Sequence, residues 1–514
     1  MVFLFLTLGS LLLGHKALTY DEPQHFRYGE LIYQLNSARF IDSTMPISVL
    51  NVIASKLAET IVGDRLENAW QIMSIGRIST VVFSLGLGLL CFAWARSLYG
   101  GLAGLVTFGL FVLEPNIIAH SRLITTDIFA AGTITLTLFL FWRFLEGPSL
   151  GRAALAGLAL GLAQIAKYTG LLLYPILILL TAIRHWPWIA SRLRCRAYRD
   201  IWRGLLSLLR YGLVFLVLSI VVINVGFLFN DTLAPFGSLD FRSTQIRSFQ
   251  SLSRLMSRLP VPVPYPYLQG LDLVLIHEDT GIGSGSIYLL GELRQEEGFL
   301  GYFLVAALFK VPIPLLALFG VSFVDWLRGF RSDEFRSREM YLLVPALVFA
   351  IYFNLFFRTQ IGIRFFLVLF PTLLIFSSRI FARWKSFSRR VRYALIFSGV
   401  YLVVSVASYF PHYLSYFNEL VPDRKQAYRI LSDSNIDWGQ NRAELTEFLA
   451  ANPDYAFEPE DPTSGPVIVG VNALTGVLED LSTFKWLREN FTPVGHLDYT
   501  YLIYDISPSD LPLD

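Results

Sequence analysis

Long apolar blocks alternate with short charged segments along the chain up to about residue 410. A helix needs roughly 20 mostly apolar residues to cross the hydrocarbon core of a membrane. The first block reaches that length only by extending to Leu18, and it has neither the basic start nor the cleavage site of a signal peptide. The blocks predict about eleven membrane-spanning helices, near residues 2–18, 72–95, 101–117, 126–144, 153–166, 168–184, 210–229, 300–326, 340–357, 365–381 and 393–410. We therefore predict an all-α polytopic membrane protein.

The basic residues orient the predicted spans, because cytoplasmic loops carry an excess of Lys and Arg. Counting eleven spans puts three arginine-rich loops on the same side, at 184–210, 328–339 and 382–392. We predict that this side, with the N-terminus, is cytoplasmic and that the protein lies in the cytoplasmic (inner) membrane. The other side then carries the outer-face loops 19–71 and 230–298 and the tail from residue 411.

The tail, residues 411–514, has a different composition from the rest of the chain. It contains 17 Asp or Glu residues against 6 Lys or Arg residues. Its patterns predict two strands at 466–471 and 499–505 and two helices at 439–450 and 478–490. We predict a small extracytoplasmic α/β domain here, which follows a transmembrane domain at 1–410.

The overall composition agrees with a membrane protein and excludes an ordinary soluble one. The chain is 54% hydrophobic and 16% charged, whereas soluble domains carry about 25% charged residues. The expected partner is a lipid bilayer, and no nucleic acid is expected. We predict no disulfide, because Cys91 lies in an apolar block and Cys195 in an arginine-rich loop.

Two adjacent carboxylates, Asp21 and Glu22, follow the first apolar block. Ionised groups do not stay in hydrocarbon, so this pair is predicted to lie where a membrane helix emerges. A carboxylate there is well placed to take a proton from an acceptor at the lipid surface. The alternative is that the pair only marks the end of the helix.

Three further polar sets lie on the same predicted side, at 120–127, 167–169 and 358–364. Carboxylates suit proton abstraction, and Lys and Arg suit a phosphate. Each set has a simpler interpretation. Asp127 could cap the following helix, Lys167 could extend its ammonium to the membrane interface, and Arg358 and Arg364 could bind lipid headgroups nonspecifically.

Lys310 lies in an apolar stretch that Pro312 and Pro314 interrupt. A helix there is predicted to kink or begin and to expose the ammonium to a cavity. Alternatively, residues 299–310 form a surface helix and Lys310 lies at the headgroups. No metal site is predicted, because the histidines lack ligand spacing, although a divalent metal at the acidic residues is left open.

Several motifs together resemble one known family. They are Asp21-Glu22-Pro23 with His25, Ala119-His120-Ser-Arg122, Thr125-Thr-Asp127, Ala166-Lys167-Tyr168-Thr169, Phe309-Lys310-Val-Pro312, Ile361-Gly-Ile-Arg364 and the stretch 432–440. In this order and with this sidedness, they are similar to the dolichyl-phosphate-mannose–protein mannosyltransferase-like group. These are membrane glycosyltransferases of the C-type fold that depend on a phospholipid carrier.

The resemblance implies a hexosyl- or pentosyltransferase that moves a sugar from a polyprenyl-phosphate donor to a protein, lipid or glycan acceptor. It implies Asp21 as the base, with Glu22 and Asp127 as supporting acids. The implied candidates for the carrier phosphate are Lys167 and Arg364, with Lys310 behind them and Arg358, Arg122 and Tyr168 as further contacts. His25 and His120 are further candidate site residues.

Two other functional classes are compatible with the sequence. A polyprenyl-lipid transporter or flippase would carry ionisable groups near the bilayer midplane, often on repeated halves. An oligosaccharide ligase would use a polyprenyl-diphosphate glycan as donor. The gathering of ionisable residues at one predicted face favours surface chemistry over transport.

Overall fold

The computed structural model describes residues 2, 5, 16–38, 44–62, 69–281 and 285–511, and this part of the chain is mostly helical. The predicted first span, 2–18, lies largely outside the described residues. The helices before the long loop are α1 (Glu22–Tyr33), α2 (Val49–Val62), α3 (Ala69–Tyr99), α4 (Gly101–Val112), α5 (Pro115–His120), α6 (Asp127–Glu146), α7 (Leu150–Ala166), α8 (Leu173–Arg194) and α9 (Tyr198–Gly226).

The later helices are shorter on average. They are α10 (Thr244–Ser251), α11 (Arg254–Arg258), α12 (Tyr265–Thr280), α13 (Tyr302–Lys310), α14 (Ile313–Arg328), α15 (Ser332–Ser337), α16 (Met340–Leu355), α17 (Phe370–Ser377), α18 (Arg389–Ala407), α19 (Arg442–Ala451), α20 (Val471–Leu474) and α21 (Lys485–Asn490). Two 3-10 segments, Ile363–Leu369 and Ser378–Ser386, flank α17 and continue its path.

Six helical segments of the described residues are long and apolar enough to cross a membrane: Trp70–Tyr99, Asp127–Glu146, Tyr168–Arg194, Tyr198–Gly226, Ile363–Ser386 and Arg389–Ala407. Each overlaps a predicted span. The predicted spans near 101–117, 153–166 and 340–357 correspond to the shorter apolar helices α4, α7 and α16. The chain is a multi-pass helical membrane protein, and the number of eleven spans stays a prediction.

The predicted span 300–326 is a bent pair, α13 and α14, whose axes differ by 115°. Pro312 sits at the break, and its ring cannot continue the helical hydrogen bonding. The predicted kink is therefore present. Lys310, the last residue of α13, is 1% exposed, so its ammonium is buried inside the protein.

Small residues allow α7 and α9 to approach closely. A Cβ atom on Gly161 would lie 2.5 Å from the Cβ atom of Val222, and one on Gly157 would lie 3.0 Å from the Cα atom of Phe215. This four-residue spacing of glycines is typical of membrane helices in contact. The packing fixes the C-terminal end of α7, which is followed by Lys167.

The strands form two sheets. A hairpin joins β1 (Ser286–Leu289) to β2 (Glu292–Gln295). The second sheet has the order β3-β4-β6-β5, with strands Ala456–Phe457, Gly465–Gly470, Tyr501–Ile506 and Gly495–Leu497 in that order, and only β3 and β4 are parallel. β4 and β6 coincide with the predicted strands, and α19 and α21 overlap the predicted helices. The boundary at residue 411 stays a prediction.

The tail is joined to the membrane-spanning part through residues 432–438. The ammonium of Lys310 donates hydrogen bonds to the carbonyl oxygens of Leu414, at 2.7 Å, and Asn435, at 2.5 Å. The side-chain oxygen of Asn435 accepts a 3.0 Å hydrogen bond from the backbone N–H of Ile363. These contacts hold the tail against the segment that carries Arg364.

Candidate functional site

Asp21 and Arg364 form an ion pair between segments that are remote in sequence. Asp21 directly precedes α1, and Arg364 lies in the 3-10 segment Ile363–Leu369. The Nη1 atom of Arg364 lies 2.8 Å from Oδ2 of Asp21. The arginine side chain is 9% exposed and the aspartate side chain 34%. Asp21 therefore keeps an accessible edge while its charge is compensated.

A second ion pair joins Asp127 to Lys167. Asp127 is the first residue of α6, and Lys167 follows the last residue of α7. Their Oδ1 and Nζ atoms are 2.5 Å apart, and the side chain of Asp127 is 2% exposed. Neither simple interpretation describes these side chains, because the carboxylate pairs with an ammonium and the ammonium is directed into the protein.

The ring of Phe365 brings the two ion pairs together. It lies 4.0 Å from the Nζ atom of Lys167 and 5.3 Å from the guanidinium carbon of Arg364, measured to the ring centroid. Cations are attracted to an aromatic face at such distances. We call Asp21, Asp127, Lys167 and Arg364 the ionic cluster. It contains two carboxylates and two cations, so its charges balance.

The two predicted histidines border the ionic cluster. Burial lowers the pKa of His25, although the nearby charges of Asp21 and Asp127 raise it. Burial also lowers the pKa of His120 to about 3. Both imidazoles are thus neutral near pH 7. Their Nδ1 atoms are buried and make no hydrogen bond to any described residue, so each is free to meet a polar group of a ligand.

Glu22, the neighbour of Asp21, is occupied elsewhere. Its carboxylate accepts hydrogen bonds from Nε and Nη2 of Arg77, at 2.7 and 2.6 Å. It also accepts hydrogen bonds from the backbone N–H groups of Thr19 and Ile124. The Glu22 side chain is 0% exposed and that of Arg77 2%. This pair ties the chain before α1 to α3 and to the turn before α6.

The other predicted carrier contacts do not belong to the ionic cluster. Lys310 donates to the tail, as described above. The Nη1 atom of Arg358 donates to the carbonyl oxygen of Asp279, and the hydroxyl of Tyr168 donates to the carbonyl oxygen of Tyr267. Arg122 lies beside Tyr413, with its guanidinium carbon 5.7 Å from the ring centroid. The sequence analysis placed these residues on one side of the membrane, but that placement could not show that they have different neighbours.

The sequence reasoning missed two residues at the ionic cluster that come from the tail. The ring centroid of Trp438 lies 4.0 Å from the guanidinium carbon of Arg364, so this guanidinium contacts the rings of both Trp438 and Phe365. Asp433 is close enough for its charge to interact with that guanidinium, and burial raises the pKa of Asp433 to about 6. The motif 432–440 was recognised only as part of the resemblance. Phe365 was also missed, because an aromatic residue in an apolar block gives no signal of its own.

Among the described residues, no group of three His, Cys, Asp or Glu side chains is arranged to hold a metal ion. Asp21 and Asp127 each have a cation as their immediate partner.

The fold and these contacts define a class: a multi-pass helical membrane protein with acids and bases from distant segments gathered at one place. The family model described as dolichyl-phosphate-mannose-protein mannosyltransferase matches residues 56–197. The matched stretch contains His120, Asp127 and Lys167, and the resemblance stated from the motifs is confirmed there. No curated protein matches the chain.

Two crystal structures of ArnT from Cupriavidus metallidurans are similar to the chain. The structure bound to undecaprenyl phosphate is 16% identical over 83% of this chain and 67% of ArnT, with a TM-score of 0.47. The apo structure is 15% identical over 100% of this chain and 99% of ArnT, with a TM-score of 0.32.

Proposed function

We propose that the protein is a membrane glycosyltransferase. In this proposal it moves a sugar from a polyprenyl-phosphate donor to an acceptor at the outer face of the cytoplasmic membrane. The observation that carries it is the ionic cluster, in which the partly exposed carboxylate of Asp21 lies beside the cations Arg364 and Lys167. A base next to two cations suits the attack of a hydroxyl on a carbon that bears a phosphate leaving group. The family match over residues 56–197 supports the same reaction class.

In the proposed reaction, the acceptor hydroxyl gives its proton to the carboxylate of Asp21. The acceptor oxygen forms a bond to the anomeric carbon as the bond from that carbon to the phosphate oxygen breaks. The electron pair of the broken bond leaves with the polyprenyl phosphate, which gains a negative charge. A single displacement of this kind inverts the configuration at the anomeric carbon.

The leaving phosphate needs positive charge close to its oxygens, and Lys167 and Arg364 are the cations of the ionic cluster. Without a ligand, each cation is paired with one carboxylate. A bound phosphate would compete with Asp21 for the guanidinium of Arg364 and leave the carboxylate free to accept a proton. Asp127 is too buried to meet an acceptor, so its role is to hold the Lys167 ammonium in place.

The test is a transfer assay with purified full-length protein and a polyprenyl-phosphate sugar. The proposal requires release of polyprenyl monophosphate in equal amount to the sugar transferred, with inversion at the anomeric carbon. Release of a diphosphate would identify an oligosaccharide ligase, and lipid movement without bond cleavage would identify a transporter. The same assay after treatment with EDTA, with and without added Mg²⁺, tests a divalent metal.

Lys167→Ala is expected to weaken donor binding about ten- to hundredfold, because a hydrogen bond between charged groups contributes about 1.5–3 kcal/mol. The measurement is the KM for the donor together with kcat. The variant also leaves Asp127 unpaired, so thermal unfolding is measured in parallel. Lys167→Arg, which keeps the charge, should recover part of the affinity.

The matched control for this experiment is Lys485→Ala, since the Lys485 side chain is 62% exposed and lies in the tail. It should change neither KM nor Tm. An unchanged donor KM in folded Lys167→Ala would remove the phosphate role from Lys167.

Phe365→Leu is expected to raise the donor KM about tenfold. The substitution removes the aromatic face shared by Lys167 and Arg364, and each such contact contributes about 0.5–2 kcal/mol. Phe353→Leu is the control. Among the described residues, the Phe353 ring contacts other aromatic rings and has no cation over its face. Both variants should lose stability, but an equal rise of KM in both would show that the Phe365 ring acts only through packing.

A further inference from the structure

A polar cavity is lined by residues that do not belong to the ionic cluster. Its walls come from the chain before α1, from α3, from the end of α5 and the loop after it, and from tail residues 411–414 and 440–441. The side chains that matter for its chemistry are Lys16, Arg77, Arg122, His412, Tyr413 and Asn441. Three of these six are cations at neutral pH, and they come from three different segments of the chain.

Two of the three cations are already neutralised. Arg77 pairs with Glu22, as described above. The ammonium of Lys16 lies 2.7 Å from a carboxylate oxygen of Glu444 and 3.0 Å from one of Asp498. It also donates a 2.6 Å hydrogen bond to the side-chain oxygen of Asn441.

Arg122 differs from both. It is 9% exposed, and among the described residues it makes no ion pair. Its Nε atom donates a 3.2 Å hydrogen bond to the carbonyl oxygen of Ile118, and its guanidinium carbon lies 5.7 Å from the ring centroid of Tyr413. No described residue accepts a hydrogen bond from its two terminal nitrogens. A guanidinium with unused donors therefore lines a cavity while it is nine-tenths buried.

A buried charge without a counter-ion is costly, and an arginine fork matches the paired oxygens of a carboxylate or phosphate. Burial lowers the pKa of Arg122 to about 10, so the group still carries its charge at pH 7. The charge that acts on Arg122 near neutral pH is that of Arg77 rather than those of the ionic cluster. The loop that carries His120 and Arg122 thus separates two environments.

We propose that this cavity is an oxyanion-binding site, in which the Arg122 guanidinium binds a phosphate or carboxylate group other than the donor phosphate at Lys167 and Arg364. The site takes the acidic group of a soluble ligand or of a membrane lipid headgroup, since both present the same oxygens. The proposal stands on the cavity and on a buried guanidinium that makes no ion pair with any described residue, and it does not depend on the reaction at the ionic cluster.

The test uses thermal unfolding of the full-length protein. In the first arm, inorganic phosphate is titrated in detergent at constant ionic strength, with chloride as the reference. In the second arm, nanodiscs of anionic phosphatidylglycerol are compared with nanodiscs of zwitterionic phosphatidylcholine, both in buffer without inorganic phosphate. A response in the first arm identifies a soluble oxyanion, and one in the second alone identifies a lipid headgroup.

Four variants separate the two sites. Arg122→Gln should lose the Tm rise or weaken the apparent affinity at least about tenfold, and Arg122→Lys, which keeps the charge without the fork, should be intermediate. Arg294→Gln, on the partly exposed β2 strand, should respond like the wild type. Lys167→Ala should retain the response that depends on Arg122, whether or not the protein is a glycosyltransferase.

The ligand-free proteins give a second readout. Removing an uncompensated buried charge should leave the Tm of Arg122→Gln unchanged or higher. A lower Tm with an unchanged anion response would show that Arg122 only supports the fold, and this result overturns the proposal. The proposal also fails if the anion response is lost in Lys167→Ala and kept in Arg122→Gln, or if neither arm gives a response that depends on Arg122.

Discussion

Asp21→Asn is expected to lower kcat for sugar transfer by about 10²- to 10⁴-fold, the usual contribution of a general base. The amide has nearly the shape of the carboxylate but cannot accept the proton of the acceptor hydroxyl. Because the Asp21 side chain is 34% exposed and the charges of Asp127 and Asp433 also act on Arg364, the protein should fold normally and keep its Tm within a few degrees. The measurement is the rate of transfer at saturating donor and acceptor.

The split between kcat and KM makes this prediction specific. Asp21→Asn releases Arg364 from its carboxylate partner, so the donor KM should stay constant or fall. Asp240→Asn is the control, because Asp240 is exposed in the loop before α10. Near-normal kcat in folded Asp21→Asn would show that another group acts as the base. A raised KM with constant kcat would show that Asp21 acts in binding instead.

The hydrophobic pattern predicted most of the membrane-spanning architecture, for a simple physical reason. A segment in hydrocarbon must be helical and apolar over a fixed length, so composition alone marks it. The break at Pro312 was predictable for a separate reason, because a proline cannot continue the hydrogen bonding of a helix. The short helices α4, α7 and α16 are below the usual length of a span. The apolar length of a helix alone therefore does not fix how many spans the protein has.

The side chains of the ionic cluster were predictable as candidates but not as pairs. Charged residues at the ends of apolar blocks stand out in the sequence, which is how Asp21, Lys167 and Arg364 were found. Their partners depend on how helices distant in the chain pack together, and no local pattern reports that packing. The sequence therefore grouped Arg122 with Arg364, whereas the structure places Arg122 at a cavity that Arg364 does not line.

The contacts between the tail and Arg364 could not be predicted from the sequence either. Trp438 and Asp433 reach Arg364 only because residues 432–438 are held against the segment after Gly362. Gly362 has a φ of 146°, and a Cβ atom there would collide with the hydroxyl of Ser434. A single glycine in an apolar context gives no warning of such a contact. The composition of the tail predicted an α/β unit but not that it would complete the site.

Glu22 and Asp21 were treated as a functional pair because they are adjacent, yet the structure gives them opposite environments. Consecutive side chains at the start of a helix point in different directions, and one of the two faces the interior of the protein. Glu22 takes that position and meets Arg77, a charged residue inside an apolar block. An arginine in such a block needs a buried partner, and this requirement was the available sequence signal.

Glu22→Gln is therefore expected to destabilise the protein by about 3–5 kcal/mol, the usual effect of breaking a buried ion pair. The substitution removes the carboxylate charge that pairs with the guanidinium of Arg77, which is 2% exposed. It also weakens the hydrogen bonds from Thr19 and Ile124 to the carboxylate. Unfolding by denaturant or heat, followed in detergent, measures the loss.

Glu59→Gln is the matched control, since Glu59 pairs with Lys56 on the surface of α2 with both side chains at least 30% exposed. Such a pair contributes about 0–1 kcal/mol, so its loss should be small.

The double variant Glu22→Gln/Arg77→Met should be more stable than the sum of the single effects predicts, because it leaves no unpaired charge. The transfer rate per folded molecule should stay near that of the wild type in Glu22→Gln, because the Glu22 carboxylate is 0% exposed and is occupied by Arg77 and two backbone N–H groups. A collapse of kcat with an unchanged Tm would instead restore Glu22 to the acids that act on the acceptor.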